Sequence, residues 1–198
     1  MCSANSLRLA LPAALCAIAC FDARAEVIYV DIPDRTVDRI PVQLDLDMNG
    51  AMDFSVFRTD NVATSIFGTN ENNLTRRDSG SQFASYLVAG DGIGPGPGYD
   101  QLALLAQEIC ESGGCSWFGP FPQSGQTGFV GVEFLIDGAT HYGWIRLHVA
   151  RVSGVATIFD YAYQATPDVG INAGQVPSPG AVAGFGFAGL LAGTRRRR

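Results

Sequence analysis

Apolar and polar residues alternate with period two over much of the chain. Ile40, Val42, Leu44 and Leu46 alternate with Pro41, Gln43, Asp45 and Asp47. Met52, Phe54 and Val56 alternate with Asp53, Ser55 and Phe57. Residues 27–32, 62–67 and 83–88 are further segments of this kind, and the pattern is clearest over 129–136, 140–149 and 155–163. Side chains on a strand point alternately to opposite faces, so this pattern predicts half-buried strands. Asp137-Gly138 is a hairpin signal between two of them, and Ser153-Gly154 bridges the next pair. Residues 101–109 are the one helical candidate. Leu102, Leu105, Ala106 and Ile109 fall on one helical face, and Asp100 stands where a cap would. The expected fold is all-β: a single antiparallel, sandwich-like domain with at most one short helix.

The two ends break this pattern. Residues 1–8 carry one arginine, residues 9–21 are apolar, and Ala23-Arg24-Ala25 is a small-x-small site. That order predicts a secretory signal peptide over 1–25, handled by the Sec machinery and signal peptidase, with a mature start at Glu26. A lipoprotein alternative would be cut before Cys20. Ile18-Ala19-Cys20 fits it in part, with Ala17 where leucine is usual. At the other end, Val176-Pro177-Ser178-Pro179-Gly180 is a turn-prone motif. An apolar run of 13 residues (181–193) and a tail of four arginines follow. As a short apolar helix the run would reach only about 20 Å, against about 30 Å for a bilayer core.

The order of motif, apolar run and arginine tail resembles the PEP-CTERM sorting signal of exported Gram-negative proteins, with Ser178 where that family usually has glutamate. The resemblance implies an exosortase-type enzyme as partner and transient inner-membrane attachment through residues 176–198. It further implies release or anchoring at the cell surface, in a bacterium that makes exopolysaccharide or biofilm matrix. The remaining stretch, 26–175, is then the extracellular domain. His141 to Leu147, Asp160-Tyr161-Ala162-Tyr163, Pro167 and Ile171-Asn172-Ala173-Gly174 also resemble a recurrent domain of such proteins, to which no activity attaches.

Composition sharpens this picture. Of 198 residues, 47% are hydrophobic and 16% charged, which excludes a disordered chain. The net charge of −6 hides an asymmetry. Between Glu26 and Ser178 there are 18 carboxylates and 7 arginines, hence −11. Such a domain is a poor partner for nucleic acid, whose phosphates need positive charge. Three of the five cysteines, Cys2, Cys16 and Cys20, lie in the leader. Cys110 and Cys115 flank Glu111-Ser112-Gly113-Gly114 and are expected to form a disulfide, in keeping with an oxidising compartment.

The candidate chemistry is sparse. Asp45, Asp47, Asn49 and Asp53 place side-chain oxygens at relative positions 1, 3, 5 and 9, with Gly50 at 6 and the Ala51 carbonyl at 7. This is the spacing by which a tight loop wraps oxygens around Ca²⁺. The glutamate of an EF-hand is missing, since position 12 is Val56, and the flanks read as strands. The segment resembles the D-x-D-x-D-G loops of secreted bacterial proteins. A structural Ca²⁺ held by Asp45, Asp47, Asn49, Ala51 and Asp53 is expected, the alternative being a solvated acidic turn. His141 and His148 are seven apart and so point to opposite faces of one strand, which rules out a simple two-histidine site there.

Tyr142, Trp144, Arg146 and His148 share one face of that strand, opposite a core face of Gly143, Ile145, Leu147 and Val149. Tyr142 and Trp144 are candidates for stacking on sugar rings, against the alternative of a second buried layer. Residues 90–98, rich in glycine and proline, lack the order and lysine of a phosphate loop and read as a surface loop. No nucleophile elbow, zinc motif or triad is evident. The reading is an exported, non-enzymatic surface or matrix protein. A carbohydrate-binding module with an exopolysaccharide partner is the alternative, and a secreted hydrolase the third.

Overall fold

The computed structural model describes residues 26–177, apart from 39, 60–62, 70–72 and 76–80. Both end segments, and with them the expected signal peptide, Ser178, Pro179 and Gly180, lie outside the described residues. The strands are β1 (Val27–Val37), β2 (Val42–Leu44), β3 (Phe54–Thr59), β4 (Ala63–Gly68), β5 (Asn73–Thr75), β6 (Gly92–Ile93), β7 (Tyr99–Asp100), β8 (Leu102–Glu111) and β9 (Gly114–Phe118). After the five-residue helix α1 (Pro120–Ser124) come β10 (Gly128–Ile136), β11 (Ala139–Val149), β12 (Ala156–Gln164) and β13 (Ile171–Asn172).

The strands form a six-stranded sheet ordered β1-β12-β11-β10-β5-β7, a five-stranded sheet ordered β2-β3-β4-β8-β9, and a small pair, β13-β6. All the ladders are antiparallel. One apolar core draws on both large sheets. Leu44, Phe54, Val56, Ile66 and Leu105 come from the five-stranded sheet, and Val132, Phe134, Ile145, Leu147 and Ile158 from the six-stranded one. These are the inward positions of the period-two pattern, so alternation places them. The Asp137-Gly138 turn joins β10 to β11 with two residues between the Ile136–Ala139 pair. Both turn residues have positive φ, 51° and 82°, as the primed turns that match strand twist require.

A second apolar layer covers part of the outer face of the six-stranded sheet. Ile93 of β6, Ile171 of β13 and Ala173 pack on Val27, Tyr142, Trp144 and Ala162. The glycine-proline segment expected as a plain surface loop thus contributes Ile93, 4% exposed, to this cover. Among the described residues no helix is long and apolar enough to cross a bilayer.

The helix expected over 101–109 is corrected to strand β8, which is hydrogen-bonded to β4 on one side and β9 on the other. A bulge caused the misreading. Thr64 pairs with Ala106 and Ser65 with Leu104, so Leu105 is an extra residue. Leu105 and Ala106 are then both buried, while Leu102 and Ile109 are exposed. Two consecutive inward residues break the period of two and imitate a helical face. The expected strand over 83–88 reduces to isolated bridges, Phe83 with Leu104 and Leu87 with Phe129.

Candidate functional site

The acidic loop lies where its flanks predicted, in the connection between β2 and β3. Carboxylate oxygens of Asp45, Asp47 and Asp53 lie within 4.8 Å of one another. The loop's own amides hold them. Asn49 N donates to Asp45 Oδ1 and Asp47 Oδ1, each at 3.1 Å, and Gly50 N donates to Asp45 Oδ2 at 2.8 Å. Leu46 N donates to Asp53 Oδ2 at 2.7 Å, and Asp53 is buried beneath the loop. The Asn49 side-chain amide donates to Asp47 Oδ2 at 2.8 Å, and its Oδ1 accepts from Ala51 N at 2.7 Å. Met48 and Gly50 have positive φ, 59° and 90°, and fold the chain back on itself. A carboxylate oxygen has two lone pairs, so one amide bond leaves each oxygen able to accept again.

Tyr161 reaches this loop from β12. Its hydroxyl donates to the Asp45 backbone oxygen at 3.0 Å. Burial, followed by the charges of Asp45 and its neighbours, pushes its phenol up to about 12. Tyr163 is raised in the same way, by burial first and then by Asp47 and Asp53. The loop is therefore tied to Tyr161 of the opposite sheet, and its charge reaches Tyr163 beside it.

The two candidate stacking residues are corrected. Tyr142 is 4% exposed and Trp144 1%. Trp144 packs edge-on against Phe129 at 5.2 Å, and its indole N–H donates to the Gln175 oxygen at 3.2 Å. Tyr142 lies against Tyr99 at 6.1 Å. No sugar ring can reach either residue, because the β6-β13 layer and the segment leading to Val176 cover them. His141 is buried and donates through Nδ1 to the Gln164 oxygen at 2.8 Å. It lies on the core side with Phe134, while His148 falls on the other face.

Cys110 and Cys115 stand directly opposite each other on the β8-β9 hairpin and are bonded. A cavity of about 270 Å³ opens on this hairpin, lined by Ile109, Glu111, Cys115, Ser116 and Phe118 among others. Glu111 is the one carboxylate in its lining, against the pair that glycoside hydrolysis employs. Val176 and Pro177, the described residues of the expected sorting motif, are exposed.

One cluster escaped the sequence. On the outer face of the six-stranded sheet, Arg146 of β11 grips the buried Asp160 of β12. Its Nε donates to Oδ1 at 2.8 Å and its Nη2 to Oδ2. The Tyr29 hydroxyl of β1 donates to Asp160 Oδ2 at 2.9 Å. The hydrogen bond to Asp160 raises the Tyr29 phenol and the Arg146 guanidinium above their ordinary values. The missed signal is a break in register. Arg146 pairs with Asp160 but Leu147 with Ile158, which leaves Phe159 over as a bulge. Strict alternation would have turned Asp160 toward the core. No protein family, curated protein or solved structure matches the chain.

Proposed function

We propose that this chain is an exported, non-catalytic module of the cell surface or extracellular matrix, built as a two-sheet sandwich and stabilised by one structural Ca²⁺. The observation that carries the calcium reading is the convergence of Asp45, Asp47 and Asp53 within 4.8 Å on a hairpin loop. Asn49 and the Ala51 carbonyl would complete the oxygen set, and hard oxygen ligands in a tight loop suit Ca²⁺ above softer metals. A divalent cation would offset the mutual repulsion of three carboxylates. Its role would be mechanical: it would fix the β2-β3 connection against Tyr161 of the opposite sheet.

Export rests on the leader pattern over 1–25 and agrees with a bonded Cys110–Cys115 pair, since disulfides persist in oxidising compartments. Sorting rests on residues 176–198 and their likeness to an exosortase substrate. The Sec machinery, signal peptidase and an exosortase-type enzyme would then be successive partners. Expression with and without residues 176–198, followed by C-terminal mass spectrometry of the surface fraction, tests this route. Loss of the four arginines from the surface pool is expected. A mature surface protein that retains all four would overturn the sorting assignment. For the ion, calorimetry of the purified protein in Ca²⁺ and in chelator is the direct test, with Asp47→Ala as control.

A further inference from the structure

The register of three adjacent strands breaks at one level of the six-stranded sheet. Between β12 and β11 the extra residue is Phe159. Between β1 and β12 the pairing jumps from Asp31–Asp160 to Arg35–Ile158. A bulge re-aims side chains and is common beside binding sites. Here it turns Asp160 outward, next to Arg146, and brings Phe159 under the guanidinium, whose carbon lies 5.5 Å from the ring centre.

This arrangement is costly for the fold alone. Asp31 and Asp160 stand directly opposite each other on neighbouring strands, and like charges so placed destabilise a sheet. Asp160 is a carboxylate only 2% exposed. A buried ion pair is weak as a source of stability, and apolar residues of similar volume often do as well. Yet the neighbouring part of this outer face, around Tyr142 and Trp144, is apolar and covered, while this part is polar and open. Tyr29 is 37% exposed and the Arg146 side chain 41%. Tyr29 leans on the buried Trp144, with ring centres 6.1 Å apart, so its orientation is fixed from behind. Asp160 occupies two of the five N–H groups of Arg146, and three remain free for a ligand.

We propose that this open patch is a subsite for a neutral sugar ring of a glycan. Tyr29 supplies the flat apolar face on which a pyranose stacks. The free guanidinium N–H groups of Arg146 donate to ring hydroxyls, and the exposed Asp31 carboxylate accepts from them. Asp160 touches no ligand. It is a positioning residue that locks Arg146 and Tyr29 in one geometry. Charge selects the class of glycan: Arg146, Asp160 and Asp31 sum to −1, on a domain that is itself strongly acidic, so uronate-rich chains are repelled. The proposal does not depend on the calcium loop, which belongs to the other sheet.

The test is titration calorimetry of the purified protein with cellohexaose, laminarihexaose, xylohexaose and mannohexaose, and with an alginate hexamer as anionic control. Binding of at least one neutral hexasaccharide, unchanged by chelator, is expected. Tyr29→Ala should weaken it about tenfold, the loss of one aromatic stack. Asp31→Asn changes an exposed side chain and keeps the test decisive should Tyr29→Ala fail to fold. It should weaken neutral-sugar binding severalfold and relieve the rejection of alginate. Absence of binding to all four neutral sugars overturns the proposal, as does alginate binding more tightly than any of them. Wild-type affinity in both variants overturns it as well.

Discussion

The 45–53 loop and the Tyr29–Asp160–Arg146 cluster are both polar constellations on a β framework, assembled in opposite ways. The loop gathers three carboxylates from nine consecutive residues and holds them with its own amides. The cluster gathers one side chain from each of three strands, and Tyr29 and Asp160 are 131 residues apart. The loop needs only a hairpin to exist. The cluster needs the finished sheet, correct register and a bulge. Local geometry should therefore survive perturbations of packing that abolish the distant one, and ions should affect the first and leave the second unchanged.

The sharpest way to break this contrast is Asp160→Ala. It strands Arg146 and the Tyr29 hydroxyl, and should cost about 3 kcal/mol by urea denaturation, less than a fully buried pair because Arg146 is half exposed.

Calcium should have a smaller effect. At an ion concentration tenfold above Kd it adds about 1.4 kcal/mol, or roughly 3–6 °C in melting temperature. Asp47→Ala should erase that increment, while Asp160→Ala should retain it if the two clusters are independent. Smallest is Tyr161→Phe, the side chain that ties β12 to the loop. Losing its hydrogen bond to Asp45 should cost about 1 kcal/mol. Its pH signature is distinctive. The folded phenol is held up to about 12 by burial, so above pH 10 the unfolded chain loses protons that the folded chain retains. Stability should fall as pH climbs from 10 to 12. The Phe variant should show a shallower decline in urea midpoints over that interval.

The same contrast accounts for what could be read from the sequence. The loop, the Asp137-Gly138 turn and strands β10 to β12 were legible because each is set by neighbours a few positions away. The mean β character and the Cys110–Cys115 pair were legible for the same reason. The helix over 101–109 was misjudged because one bulged residue, Leu105, disguised a strand paired on both sides. Tyr142 and Trp144 were correctly placed on one strand face. What covers that face comes from Ile93 and Ile171 on a two-residue ladder too short to leave a pattern. The Asp160 cluster was hidden by Phe159 for the same reason as β8: alternation predicts orientation only until the first bulge.

The pairing of β1 with β12 also governs the order in which the molecule can be completed. Val27 meets Gln164, and Val37 meets Ala156. A chain entering any compartment N-terminus first delivers β1 more than a hundred residues before β12, its ladder partner among the described residues. Until then β1 offers an unpaired edge with Val27, Val30 and Ile32 uncovered. Contacts so distant in sequence form slowly, and unpaired edges invite association with other chains. The same strand carries Pro33, Asp31 and Asp34, and proline and charge are the residues that blunt such an edge. The β1 segment thus contains its own safeguard for the interval in which it must wait.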